Sequence, residues 1–362
     1  MILPLTFITL WSTCITYIFK FVYHDIGIDS VLLTVLGFVV GLTLSFRGST
    51  AYERYSEGRR FWAQLSSIMS SFARLIWLNT DEREDHATED LLAKISFCNM
   101  LVSLAIALKH RMRFEPFTHY DDLSPRVQHL SLTAHRADVR KWKEPSPWKR
   151  FGMLLGLPMA ESNPRKLLKN PNKPLGNAPL EIHGSCCEYI KHIIDNGTFK
   201  TPACQTQAYN CLAQINDVLN GSDRVLNTPL PLAYSIALAQ ITWVYILILP
   251  FQLVNKLGWV TIPGSVFAAY IILGLALIGR EIENPFGEDV NDLALDHFCN
   301  QIEQDVNLIM THVPGSMPVH MEHPDNNLLY PLASGKYEDL LTKSPEYIRS
   351  RLHTRAFGRT EA

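Results

Sequence analysis

The chain has 362 residues, 47% hydrophobic and 19% charged, with 33 Lys+Arg against 35 Asp+Glu and a formal net charge of -2. That balance excludes a basic nucleic-acid-binding domain, and the composition excludes a disordered, collagen-like or disulfide-dense chain. The average would suit a soluble protein, but four long stretches carry no charge.

Met1 to Phe19 and Ser30 to Phe46 are uncharged, with Lys20, His24, Asp25 and Asp29 between them. A bilayer core takes about 20 apolar helical residues, so both read as membrane spans. The first lacks the basic residues that precede the apolar part of a signal peptide and is read as a span. After Arg47, residues Tyr52, Tyr55, Arg59, Trp62, Leu65, Ile68, Phe72 and Ile76 recur at three- and four-residue steps. This spacing predicts that the second span continues out of the membrane as one long helix. Asp81 to Asp90 is an acidic break before an amphipathic to buried helix expected over Leu91 to Leu108. Ser124-Pro125 is a start signal for a helix over 125–142.

Residues 143–179 hold seven of the 21 prolines, with Lys149, Arg150, Arg165 and Lys173 among their basic residues. They read as a basic loop, with attraction to anionic headgroups as one role. Helical patterns return over 180–195 and 202–223. Val225 to Asn255 and Leu257 to Gly279 are then uncharged for 31 and 23 residues, separated by Lys256. They read as a third and a fourth span. After Pro285, residues Leu293, Leu295, Phe298, Ile302, Val306 and Ile309 share one side of a last helix. The tail from Val313 carries a short helix near Tyr337 to Leu341. Strand alternation persists nowhere, so an all-α protein is expected.

Only Lys20 and Lys256 of the 33 basic residues fall in the short connections. The positive-inside rule therefore places both termini and residues 47 to 224 on the cytosolic side of a multi-pass membrane protein. The expected organisation is 1-48 for the first two spans, 49-224 for a large cytosolic helical bundle, 225-283 for the other two spans, 284-312 for an acidic turn and helix, and 313-362 for a cytosolic tail. The seven cysteines show no C-x-x-C spacing and read as reduced thiols. The sequons at Asn196 and Asn220 are expected to stay unmodified in the cytosol. No nucleophile–base arrangement, phosphate loop or metal-spaced His pair occurs, so neither an enzyme nor a required cofactor is expected.

Two blocks are distinctive. One runs Phe46-Arg47-Gly48-Ser49-Thr50-Ala51-Tyr52-Glu53-Arg54-Tyr55 and on through Glu57, Arg59 and Trp62. The other is Glu281-Ile282-Glu283-Asn284-Pro285-Phe286-Gly287-Glu288-Asp289-Val290-Asn291-Asp292-Leu293. Together they resemble the bestrophin family of ion channels, over about residues 1 to 110 and 180 to 312. The resemblance implies a homopentamer in the lipid bilayer, with one ion pathway on its axis lined by the second span. It also implies passive conduction of chloride or other small ions, with a hydrophobic neck as gate.

Val31, Val35 and Val39 form a four-residue-step stripe and resemble the neck positions, with Phe38 and Leu42 beside them. They are smaller than the Ile and Phe of animal members, which implies a wider constriction. Packing against lipid or neighbouring helices is the other reading of such a stripe. In animal members the second block clasps Ca²⁺, which by resemblance points to Asp289 and Asp292 as ligands, with Glu281 and Asn284 offering backbone oxygen. Val290 and Asn291 depart from that pattern, and helix capping by Asp289, Asn291 or Asp292 is the alternative. Arg47, Glu53, Arg54, Glu57, Arg59 and Arg60 are expected at the membrane edge, as an ion-pair network between subunits before direct ion attraction. Within the same fold a cation channel is the rival function, and a non-conducting membrane scaffold is the rival from another class.

Overall fold

The structure, a computed structural model, describes all residues except 27, 29, 116, 137–146, 149–151, 153–174, 314–316, 333–334 and 358–362. Most of the expected Pro-rich basic loop lies outside the described residues. Among those described, every regular element is helical.

Helix α1 (Ile2–Phe21) is a short span in which three threonine hydroxyls bond to the helix's own backbone. The hydroxyls of Thr9, Thr13 and Thr16 each donate 2.8 Å bonds to carbonyls four residues back. A bilayer core requires such internal pairing because it offers no water to bond. Helix α2 (Ser30–Asn79) is the continuous helix expected from the sequence. Its 50 residues reach about 75 Å at 1.5 Å per residue.

Helices α3 (Ala87–Met112), α4 (Ser124–Val127), α5 (Ala178–Asp195) and α6 (Pro202–Asn227) follow. Then come α7 (Leu232–Leu257), α8 (Thr261–Glu281) and α9 (Leu295–Met310). The far half of α2 buries Trp62, Leu65, Met69, Phe72 and Ile76. Phe72 meets Phe97 of α3 edge-on with ring centroids 5.0 Å apart, and Phe97 stacks on Tyr189 of α5 at 4.7 Å. Near its start, α2 packs Val40 and Leu44 on Leu238 of α7. Ile8, Ile246, Ala269 and Leu273 join α1, α7 and α8.

Four helical stretches are long and apolar enough to cross a membrane: Ile2–Phe21, Leu33–Asn79, Glu84–Met112 and Ala233–Glu281. The third differs from the others in burial. Its most apolar window is 67% buried inside the protein, against 28%, 22% and 22% for the rest. Helix α3 is therefore a core helix whose hydrophobicity is spent on protein neighbours. The fourth stretch is two helices, α7 and α8, joined by a turn at Gly258, whose φ of 52° favours a residue without Cβ. The uncharged stretch from Val225 is likewise not all one helix. Val225 to Asn227 end α6, and Pro229 and Pro231 separate it from α7 because neither has the N–H that a continuing α6 would need.

The helix expected over 125–142 is reduced to α4 and a single 3-10 turn at Thr133–Arg136, with 137–142 outside the described residues. His135 explains the interruption. Its Nε2 lies 3.2 Å from the carbonyl oxygen of Val127 and 3.0 Å from that of Leu130, taking acceptors that a continuing helix would use.

The chain divides into two compact units, Met1–Val306 and Asn307–Ala362. The second contains α10 (Met317–Glu322), α11 (Tyr337–Leu341) and α12 (Pro345–Phe357) and buries Leu329 and Leu340. The expected tail helix is α11. The sequence reading missed α12, although Ser344-Pro345 announced it: Ser344 Oγ accepts from the Tyr347 N–H at 3.3 Å, an N-cap followed by proline.

Candidate functional site

Because α2 buries one face along its whole length, its opposite face is defined by exposure. Val31 is 67% exposed, Val35 58%, Phe38 71%, Val39 38% and Leu42 46%. All five neck candidates thus lie on the outward side. Phe38 stands out further than Val39, so the bulky residue beside the valine stripe belongs to the same surface. Gly37 and Gly41 divide their roles. A Cβ on Gly37 would meet the Tyr245 hydroxyl at 3.2 Å, whereas nothing lies within 4 Å of one on Gly41.

Beyond Leu42 the same outward face changes chemistry. Ser45, Ser49, Ser56, Ala63, Ser67 and Ser71 are exposed at helical spacing, with Glu53 and Arg60 among them. This hydroxyl-rich continuation was missed from the sequence, where the aromatic positions dominate the periodicity. Its signal was a small residue at nearly every outward step.

At the membrane edge the two sequence blocks meet. Gly58 lets the ring of Phe286 pack directly on α2, for a Cβ there would lie 3.0 Å from two ring carbons. Phe286 and Pro285 are buried, as is Trp62, whose ring centroid lies 6.1 Å from that of Phe298. The Arg59 guanidinium sits 4.4 Å above the Phe298 ring. Tyr52 points outward, 64% exposed.

Arg54 reaches three carbonyl oxygens: Val225 at 2.7 Å, Thr228, and Glu283 at 3.0 Å. It thereby satisfies carbonyls left open where α6 and α8 end. Arg47 donates to Glu283 at 3.4 Å, and Glu57 pairs with Arg224 and with Arg60. The expected charged network therefore has partners within one chain, and much of it binds backbone rather than carboxylates.

The acidic block forms a turn. Asp292 accepts from the Asp289 N–H at 2.9 Å, and Asn291 donates to Glu281 at 2.7 Å. A Cβ on Gly287 would fall 2.4 Å from Asp292 Oδ2, so any other residue there would displace that carboxylate from the Asp289 N–H. Burial, followed by the charges of Asp289 and Glu281, pushes the Asp292 carboxyl above its ordinary pKa. Among the described residues no three His, Cys, Asp or Glu side chains gather as a metal ligand set. Asn284 and Asp289 are exposed, and Asp292 is already committed to a backbone N–H. One carboxylate oxygen of Asp292 closes the turn. Asp292 holds the turn ahead of α9 rather than capping that helix.

A second charged cluster ties α3 to α9. Lys109, 5% exposed, pairs with Asp122 and with Asp296 at 2.8 Å, and Arg113 reaches Asp296 at 2.8 Å. Burial raises the carboxyl pKa of Asp122 and Asp296, but bonds from Lys109, His110 and Arg113 outweigh it and leave both below the ordinary value. Sequence periodicity did not single out this cluster, because its members lie far apart in the chain.

A family model described as bacterial/fungal bestrophin protein matches residues 1–308. A voltage-dependent anion channel-forming protein of Synechocystis is 33% identical over 271 residues, covering 73% of this chain and 72% of that one. One of Nostoc with the same description is 32% identical over 269 residues, with 74% and 73% covered. A solved bestrophin homolog from Klebsiella pneumoniae aligns with a TM-score of 0.63 at 24% identity, covering 86% of this chain and 99% of its own.

Proposed function

The chain belongs to the bacterial and fungal bestrophin family, and from that premise we propose that it is a passive anion channel, conducting chloride through a homopentamer with α2 of each subunit around the axis. The carrying observation is the outward face of α2, with its uncharged run from Val31 to Leu42 leading into a hydroxyl-lined stretch. Five copies of Val31, Val35, Phe38, Val39 and Leu42 form an apolar neck that gates by dewetting. The serine-rich face beyond forms a wetted vestibule on the cytosolic side, where both termini lie. Similarity to relatives named as anion channel-forming proteins supports the choice of anion. No catalytic step and no cofactor is part of this function.

The test uses the purified full chain in planar bilayers under a KCl gradient. A reversal potential near the chloride equilibrium value is expected. One near the potassium value replaces the anion channel by a cation channel of the same fold, and no current from a well-folded oligomer leaves a scaffold. Val35→Ala widens the neck and should raise leak or open probability. Because Asp292 closes its own turn, a calcium chelator should leave the current unchanged; a chelator-sensitive current would assign Asp289 and Asp292 to a cation.

A further inference from the structure

Helices α1, α7 and α8 enclose a cavity near the end of the spanning layer where Glu283 lies. Its walls include Pro4, Leu238, Trp243 and Leu273, and the side chains of Arg47, Arg280 and Thr242 also line it. Arg47 is only 7% exposed, and its Nε has no hydrogen-bond partner among the described residues. Thr242, 2% exposed, likewise has an unsatisfied hydroxyl.

The charges do not balance. Arg47 lies 3.4 Å from Glu283, while Arg280 has no salt-bridge partner among the described residues, so two guanidinium groups face one carboxylate. Arg47 lies against α8 at Gly279, where a Cβ would meet its Cγ and Cδ at 3.5 Å, an ordinary van der Waals contact. A half-buried guanidinium without a carboxylate and buried donors without acceptors are costly at membrane depth, and such groups pair with an anion where one is available. Walls of Leu, Trp and Pro favour an anion attached to an apolar chain.

We propose that this cavity binds the phosphate headgroup of an anionic membrane lipid. Arg47 and Arg280 hold the phosphate oxygens, Thr242 bonds to the headgroup, and an acyl chain runs along Trp243 and Leu273. The proposal rests on α1, α7 and α8 lying in a bilayer. It is independent of whether the pore conducts.

Native mass spectrometry of the purified full chain, titrated with phosphatidic acid or phosphatidylcholine, tests it. Selective retention of phosphatidic acid is expected. Arg280→Gln should weaken it about tenfold, the loss of a charge-assisted bond, with phosphatidylcholine unaffected. Ala239→Phe, which fills the cavity from its wall, should abolish retention while circular dichroism and oligomer mass stay unchanged.

Equal retention of the two lipids, or undiminished retention by both variants, overturns the proposal. Inorganic phosphate that competes as strongly as the lipid overturns the lipid assignment in favour of a small-anion site. Current measured in parallel separates this result from the channel reading: lipid retention without current counts against conduction alone.

Discussion

At the residue scale, Arg54 concentrates more structure than any other member of the first block. One guanidinium holds the carbonyls of Val225, Thr228 and Glu283 and so binds the ends of α6 and α8 to α2. A planar fork can do this, and a single ammonium cannot. Arg54→Lys is therefore expected to destabilise almost as much as Arg54→Gln, by about 2–4 kcal/mol, read as a fall in melting temperature. Asp90 gives a pH signature. Its hydrogen bonds with Arg83 outweigh burial and hold its pKa at about 2. A depressed carboxylate stabilises above its unfolded pKa of ~3.9 and loses that contribution as pH falls through the folded value. The melting-temperature gap between the wild type and Asp90→Asn should be constant near neutrality and close as pH falls below ~4 toward 2.

At the element scale, α2 acts as the common wall of both halves of the first unit. Its membrane portion rests on α7 and its outer portion on α3 and α6. Gly221 sets the last contact: a Cβ there would lie 2.3 Å from Phe61 Cζ, and Phe61 is itself buried. Gly221→Ala gains up to ~1 kcal/mol in helix propensity but overpacks the contact at a cost of about 1–3 kcal/mol. A net loss of thermal stability is expected, and adding Phe61→Leu should restore part of it. Recovery would identify the ring contact as the cause, and no recovery would point to the backbone.

At the scale of the whole molecule, the division at Val306/Asn307 falls close to residue 308, where the family match ends. Nearly all of the residues matched by the family model, and the proposed ion pathway, lie in the first unit. Truncation after Thr311 is expected to leave the reversal potential and oligomer mass unchanged. A shifted reversal potential would place part of the selectivity in the second unit.

The sequence by itself determined the all-helical class, the apolar runs, the continuity of α2 and the two motif blocks. Each of these follows from helical spacing or from the absence of charge over a bilayer's length, and both are local properties. The face carrying Val31, Val35 and Val39 was legible for the same reason. Only the tertiary structure decided how completely α3 is buried, with every residue from Met100 to His110 enclosed, since hydrophobicity is the same for a side chain facing lipid and one facing protein. Distant partners were decided there too: Arg54 with three carbonyls, Gly58 with Phe286, Lys109 with Asp122 and Asp296, and Arg47 beside Arg280. Together with the Arg47–Glu283 pair, those contacts join residues up to 236 positions apart. No periodicity along the chain encodes them, because they arise only when separately formed helices pack.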